Sequence, residues 1–140
     1  MQTVILSIRG KQTYMDQEPD TVELVTEGTM EFNRGGWDLC YQESDLTGLA
    51  GVTTTFRLES DGITLNRTGQ LNSQMVFREG ESHDSLYQME FGALMLTVSA
   101  TKVSWEMNEN GGIVDLSYRL EIENSAAGVI DYHLEIRPKD

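Results

Sequence analysis

Val114, Leu116, Tyr118, Leu120 and Ile122 occupy every second position, and Asp115, Ser117, Arg119, Glu121 and Glu123 fall between them. The pattern returns in Ile130, Tyr132, Leu134 and Ile136, set against Asp131, His133, Glu135 and Arg137. A period of two puts each set on its own face of a strand, so both segments read as strands packed on one side and wet on the other. No stretch of helical length carries a 3.6-residue repeat. The chain must therefore bury its core between strands.

Turn signals divide the rest at short intervals. Ser60-Asp61-Gly62 and Asn110-Gly111-Gly112 are strong hairpin signals, because Asn and Gly reach positive φ cheaply. Arg34-Gly35-Gly36, Thr68-Gly69-Gln70 and Glu79-Gly80-Glu81 are weaker ones. Between them the sequence predicts strands near 2–14, 20–33, 36–45, 51–59, 62–68, 71–78, 85–91, 93–107, 112–124 and 127–137. Ser44 to Gly51 reads as a loop or one short helical turn. A meander this long curls under its own twist, which predicts an all-β fold, a closed antiparallel up-and-down barrel of about 8–10 strands. A two-sheet sandwich is the alternative. With no internal repeat or linker, residues 1–140 form one domain.

The formal net charge of −13 argues against two partner classes. Nucleic-acid binding and anionic membrane surfaces both need a basic face, and ten Lys plus Arg among 23 acids do not supply one. The apolar run at Val4-Ile5-Leu6 is too short for a signal peptide and reads as a first strand. The single Cys40 cannot form an intramolecular disulfide, so the cytoplasm is the expected compartment. Asn66-Arg67-Thr68 matches a glycosylation sequon, which has meaning only in a secreted protein.

Several phrases carry a resemblance. They are Glu23-Leu24-Val25-Thr26-Glu27-Gly28, Tyr41-Gln42-Glu43-Ser44 leading through Thr47-Gly48-Leu49 to Thr53-Thr54-Thr55, Asn66-Arg67-Thr68-Gly69, Ser73-Gln74-Met75-Val76-Phe77 and Leu116-Ser117-Tyr118-Arg119-Leu120. Together they resemble the YwiB-like family of uncharacterised bacterial barrels across nearly the whole chain. The resemblance implies a calycin- or lipocalin-like, cytoplasmic barrel and leaves activity open. Met89-Glu90-Phe91-Gly92 departs from the Pro-Tyr-Gly-like turn expected at that point.

Motifs for chemistry are sparse. His83, His133 and Cys40 have no metal-site spacing, and Asp16-Gln17-Glu18-Pro19-Asp20 lacks the glycine and terminal glutamate of a calcium loop. There is no Gly-x-Ser-x-Gly elbow, and Cys40 is out of phase with Trp37, Leu39 and Tyr41. Gly48-Leu49-Ala50-Gly51 does not lead into a helix, as a phosphate loop would. No cofactor is implied.

The informative residues are polar ones that the alternation aims inward. Glu43 follows Trp37, Leu39 and Tyr41 in phase, and Arg67 follows Ile63 and Leu65. Tyr41, Glu43 and Arg67 are thus candidates to orient a ligand at one end of a cavity. Arg57 joins them only if its face, rather than that of Phe56, points inward. A structural Glu43–Arg67 pair closing the barrel end competes with this reading. Tyr41, Tyr118 and Tyr132 read as core aromatics with hydroxyls near a rim, and Met75, Met95 and Met107 as gap-fillers. A non-enzymatic small-molecule-binding barrel is the leading functional expectation. An acidic module that meets a basic protein or a second copy of itself comes next, and an enzyme third.

Overall fold

The computed structural model describes residues 1–14, 17–44, 49–89 and 92–139, with Met89 described by its backbone alone. Ten strands form: β1 Gln2–Tyr14, β2 Asp20–Asn33, β3 Gly36–Gln42, β4 Val52–Glu59, β5 Gly62–Gly69, β6 Leu71–Phe77, β7 Ser82–Met89, β8 Gly92–Asn108, β9 Gly111–Ile122 and β10 Ser125–Pro138. Each pairs antiparallel with its sequence neighbours, and β1 pairs with β10 to close the ring. The sheet is a closed ten-stranded meander barrel, as the alternation requires, and not a sandwich. No helix among the described residues is long and apolar enough to cross a membrane.

The inner faces are those that the alternation marks. Leu116 and Tyr118 on β9, Ile130, Leu134 and Ile136 on β10, and Leu39 and Tyr41 on β3 are all buried. The phase slips on β8, and the β9–β10 register shifts again between Ala126 and Gly128. A bulge between Ala100 and Lys102 on β8 shifts the register, so Leu96, Val98 and Ala100 face in before it, and Val103, Trp105 and Met107 pack on the core after it. Met75 fills the core as expected, whereas Met95 is 41% exposed on the outer face.

Boundaries moved where side chains gave no signal. β7 starts at Ser82, three residues earlier than its apolar alternation suggests. Polar cross-strand pairs hold its start, Ser82 Oγ to Ser99 Oγ at 2.7 Å and Thr97 Oγ1 donating to Asp84 Oδ1 at 2.8 Å. The β9–β10 turn falls at Glu123 and Asn124, with φ of 50° and 67°, so an Asn stands where a glycine would have announced it. β3 ends at Gln42, not 45, although the Glu43 amide still donates to the Val52 carbonyl at 2.9 Å. Residues 45–48 of the expected loop or helical turn, and Glu90 and Phe91 of the departing turn, lie outside the described residues.

The two ends of the barrel differ. Around the β2–β3, β4–β5 and β8–β9 turns the lumen is filled by Leu6, Leu39, Phe56, Leu58, Leu65 and Leu134, each at most 1% exposed. Burying side chains of this size stabilises by roughly 1.5–3 kcal/mol each. Trp105 covers this end, its Nε1 reaching from β8 to donate to the Glu59 carbonyl on β4 at 2.9 Å. At the opposite end the described residues leave the lumen open.

Candidate functional site

The open end holds a cavity of about 430 Å³. Its residues come from the C-terminal halves of β1, β3, β5, β7 and β9 and the N-terminal halves of β2, β8 and β10, with Met75 of β6 and Leu49 of the β3–β4 connection. The chain has five tyrosines, Tyr14, Tyr41, Tyr87, Tyr118 and Tyr132, and all five line this cavity.

The floor is aromatic and polar. Phe77 packs against Tyr118 with ring centroids 4.6 Å apart, and Phe56 meets Tyr132 edge-on at 6.4 Å. Above them runs one row of inward positions set by strand register: Tyr41 opposite Thr54, Thr54 opposite Arg67, Arg67 opposite Ser73. Thr54 is fully buried, and its Oγ1 donates to Glu43 Oε2 at 2.6 Å. Glu43 also acts on the Tyr41 phenol, raising its pKa. The Thr54 hydrogen bond fixes the carboxylate.

Arg67 of β5 lines the same cavity. Burial works against its charge, but Tyr132, Tyr118, Glu43 and Tyr41 outweigh it and raise its pKa above the ordinary guanidinium value. Tyr132 sits on β10, five strands around the ring from β5, and lines the cavity from the opposite wall. The Nε of Arg67 and the Oγ of its neighbour Ser73 are both buried and have no hydrogen-bond partner. Burial, above all, also pushes the Tyr41 and Tyr118 phenols well above their usual range, with Glu43 adding to it at Tyr41 and Tyr132 at Tyr118. Both are neutral hydroxyls at neutral pH.

The mouth is apolar, ringed by Val22, Leu24, Leu94, Leu120 and Ile122, with Gln12 accepting from the Tyr14 hydroxyl at 2.7 Å. Gly10 lies on the inner face of β1, where a Cβ would come within 3.2 Å of the Tyr132 ring. The missing side chain makes room for that ring against the wall.

Of the residues expected at a ligand site, Tyr41, Glu43 and Arg67 come together in this cavity. Arg57 does not line it. Its face points outward, because Thr54, Phe56 and Leu58 take the inner positions of β4. Outside, Arg57 donates to Asn33 Oδ1 at 2.8 Å and to the Asn33 carbonyl at 2.9 Å, and it pairs with Asp38 at 3.5 Å. It clamps the β2–β3 hairpin. Tyr14, Tyr87 and Ser73 escaped the sequence reading. Extending the inward phase from Ile8 to Tyr14, and from Ser85 to Tyr87, would have found the first two. Among the described residues no cluster of His, Cys, Asp and Glu could hold a metal ion.

Residues 6–136 match the family described as Domain of unknown function (DUF1934). No curated protein matches. Among solved structures, the YwiB protein from Bacillus subtilis is similar, with a TM-score of 0.87 at 19% identity over 99% of this chain and 93% of that one. That likeness covers the barrel from end to end. The chain belongs to the DUF1934 family, whose function is unknown.

Proposed function

We propose that this chain is a non-enzymatic, cytoplasmic binding barrel that takes one small, partly apolar molecule into its open end. One observation carries the reading: a 430 Å³ cavity lined by every tyrosine of the chain together with the charged Arg67. Small-molecule sites occupy about 300–1,000 Å³ and combine apolar walls with a few fixed polar groups. Tyr41, Glu43 and Arg67 are those groups here. The calycin- or lipocalin-like kinship implied by the sequence resemblance supports the same reading. The solitary, half-buried Cys40 suits a reducing compartment.

The test is a thermal-shift screen of metabolites on wild type and Arg67→Ala. A ligand at one hundred times its Kd stabilises by about 2.7 kcal/mol, roughly 5–10 °C for a domain of this size. Wild type is expected to respond and the variant to lose the shift. A panel that moves neither protein contradicts the reading.

The net charge of −13 favours a second reading, an acidic module that docks on a basic protein. Such association weakens steeply with salt, since exposed charges are screened within about 10 Å at 0.1 M. Pull-downs with no salt-sensitive partner count against it.

A further inference from the structure

We infer that the molecule held in this cavity is an amphipathic carboxylate, with its anionic group on Arg67 and its apolar body against the tyrosine and aliphatic walls. This rests on the reading of the barrel as a small-molecule binder. Two observations carry it further than that.

The floor has more donors than acceptors. Arg67 is the one cation among the described lining residues, and its Nε has no partner. Ser73 Oγ, beside it on β6, has none either. Glu43 is engaged by Thr54 and Tyr41. A buried donor without an acceptor is costly, and a carboxylate supplies two acceptor oxygens that a guanidinium meets in plane. A cationic head would face Arg67 instead.

The cavity is also divided around the ring. Tyr41, Glu43 and Arg67 come from β3, the residue just past it, and β5, whereas Leu24, Leu94, Leu120 and Ile122 line it from β2, β8 and β9. An amphiphile with its head on Arg67 and its body along that apolar wall matches both sides at once. The far field opposes an anion. At a net charge of −13 the protein repels an approaching anion, so selectivity for one has to come from contact with Arg67. Salt then has an unusual effect: screening the repulsion speeds entry of an anion and slows that of a cation.

The experiment measures binding of decanoate, decanol, decyltrimethylammonium and biphenyl-4-carboxylate to the wild-type protein by calorimetry. The better of the two acids is expected to bind at least about ten-fold tighter than decanol, with the ammonium weakest. Whichever acid wins tells an alkyl body from an aryl one. Raising the salt should speed association of the acid. Arg67→Met should lower its affinity to that of the alcohol, and Arg67→Lys should restore part of it. Decanol binding as tightly as both acids overturns the inference while leaving a small-molecule site standing. Failure of all four compounds, together with a silent metabolite screen, overturns both. The wild-type series alone decides the matter if the variants do not fold.

Discussion

The closed and open ends of this barrel are built from the same ten strands with the same inward alternation, yet one is packed solid and the other is hollow. At the closed end the inward positions hold Leu, Phe, Val and Ile, and their side chains meet across the lumen. At the open end the same phase delivers Tyr, Arg, Glu and Gln among apolar residues, and a cavity remains. A chain selected only for stability would fill that volume, because unfilled space forfeits dispersion contacts and burial. The difference separates a half held by packing from a half whose inward side chains leave space.

The largest expected contrast is in stability. Phe56→Ala at the closed end should cost about 3–5 kcal/mol, as large-to-small changes in a full core do. Leu94→Ala at the rim should cost less than about 1 kcal/mol, because its side chain already borders open space. Urea unfolding of the two variants measures both. Equal losses would break the distinction between the ends.

Gly28 marks the boundary between them. A Cβ there would collide with the Cys40 carbonyl oxygen and come within 2.8 Å of Leu6 Cδ1. Gly28→Ala should therefore destabilise by about 1–3 kcal/mol, the range for overpacking, in the same unfolding assay. Gly10, at the level of the cavity, should behave differently. Gly10→Val pushes the Tyr132 ring off the wall and into the void, with a stability change within about 1 kcal/mol. The same variant should abolish the thermal shift that a ligand produces. A Gly10→Val protein that still responds in full would place the ligand elsewhere.

The smallest effect lies outside the barrel. His133 Nδ1 is 2.7 Å from Asp115 Oδ1, and its Nε2 is 3.3 Å from Glu135 Oε1. These hydrogen bonds, the one to Asp115 first, raise its pKa above the ordinary 6.5. A raised folded pKa means the stabilisation is fully present below 6.5 and is lost as pH climbs through the raised value. With the side chain 35% exposed, solvent screening holds the contribution to a few tenths of a kcal/mol, the usual worth of a surface pair. Melting temperatures from about pH 5 to pH 9 should fall slightly in wild type and stay flatter in His133→Gln. No cavity property should change with it.

Much of the fold was legible because a period of two is local. Leu39, Tyr41 and Glu43 share a face whatever the rest of the chain does, so their inward direction follows from sequence, and so does that of Arg67 from Ile63 and Leu65. The bulge at Ala100–Lys102 was not legible. It trades one residue of β8 against β9, and neither segment announces it with a glycine. The start of β7 was hidden for a similar reason, since Ser82 to Asp84 are held by polar pairs that show no alternation. For the site, direction was readable but depth was not. Tyr41, Glu43 and Arg67 could be aimed inward from sequence, while their meeting with Tyr118 and Tyr132 depends on ring closure and strand stagger. Arg57 shows the converse. Its outward face follows from the burial of Phe56, and its role as a clamp on Asn33 emerges only when the hairpin is folded.

The chain carries its own reporters for the two ends. All five tyrosines line the open cavity, and both tryptophans, Trp37 and Trp105, lie in the closed half. The most direct test labels the protein with fluorotyrosine and fluorotryptophan and follows both sets of fluorine resonances as decanoate or a hit from the metabolite screen is added. If a molecule fills the open end, the tyrosine signals shift and saturate together while the two tryptophan signals hold still. Tryptophan signals that move while the tyrosines stay fixed would contradict the assignment of binding to the hollow half.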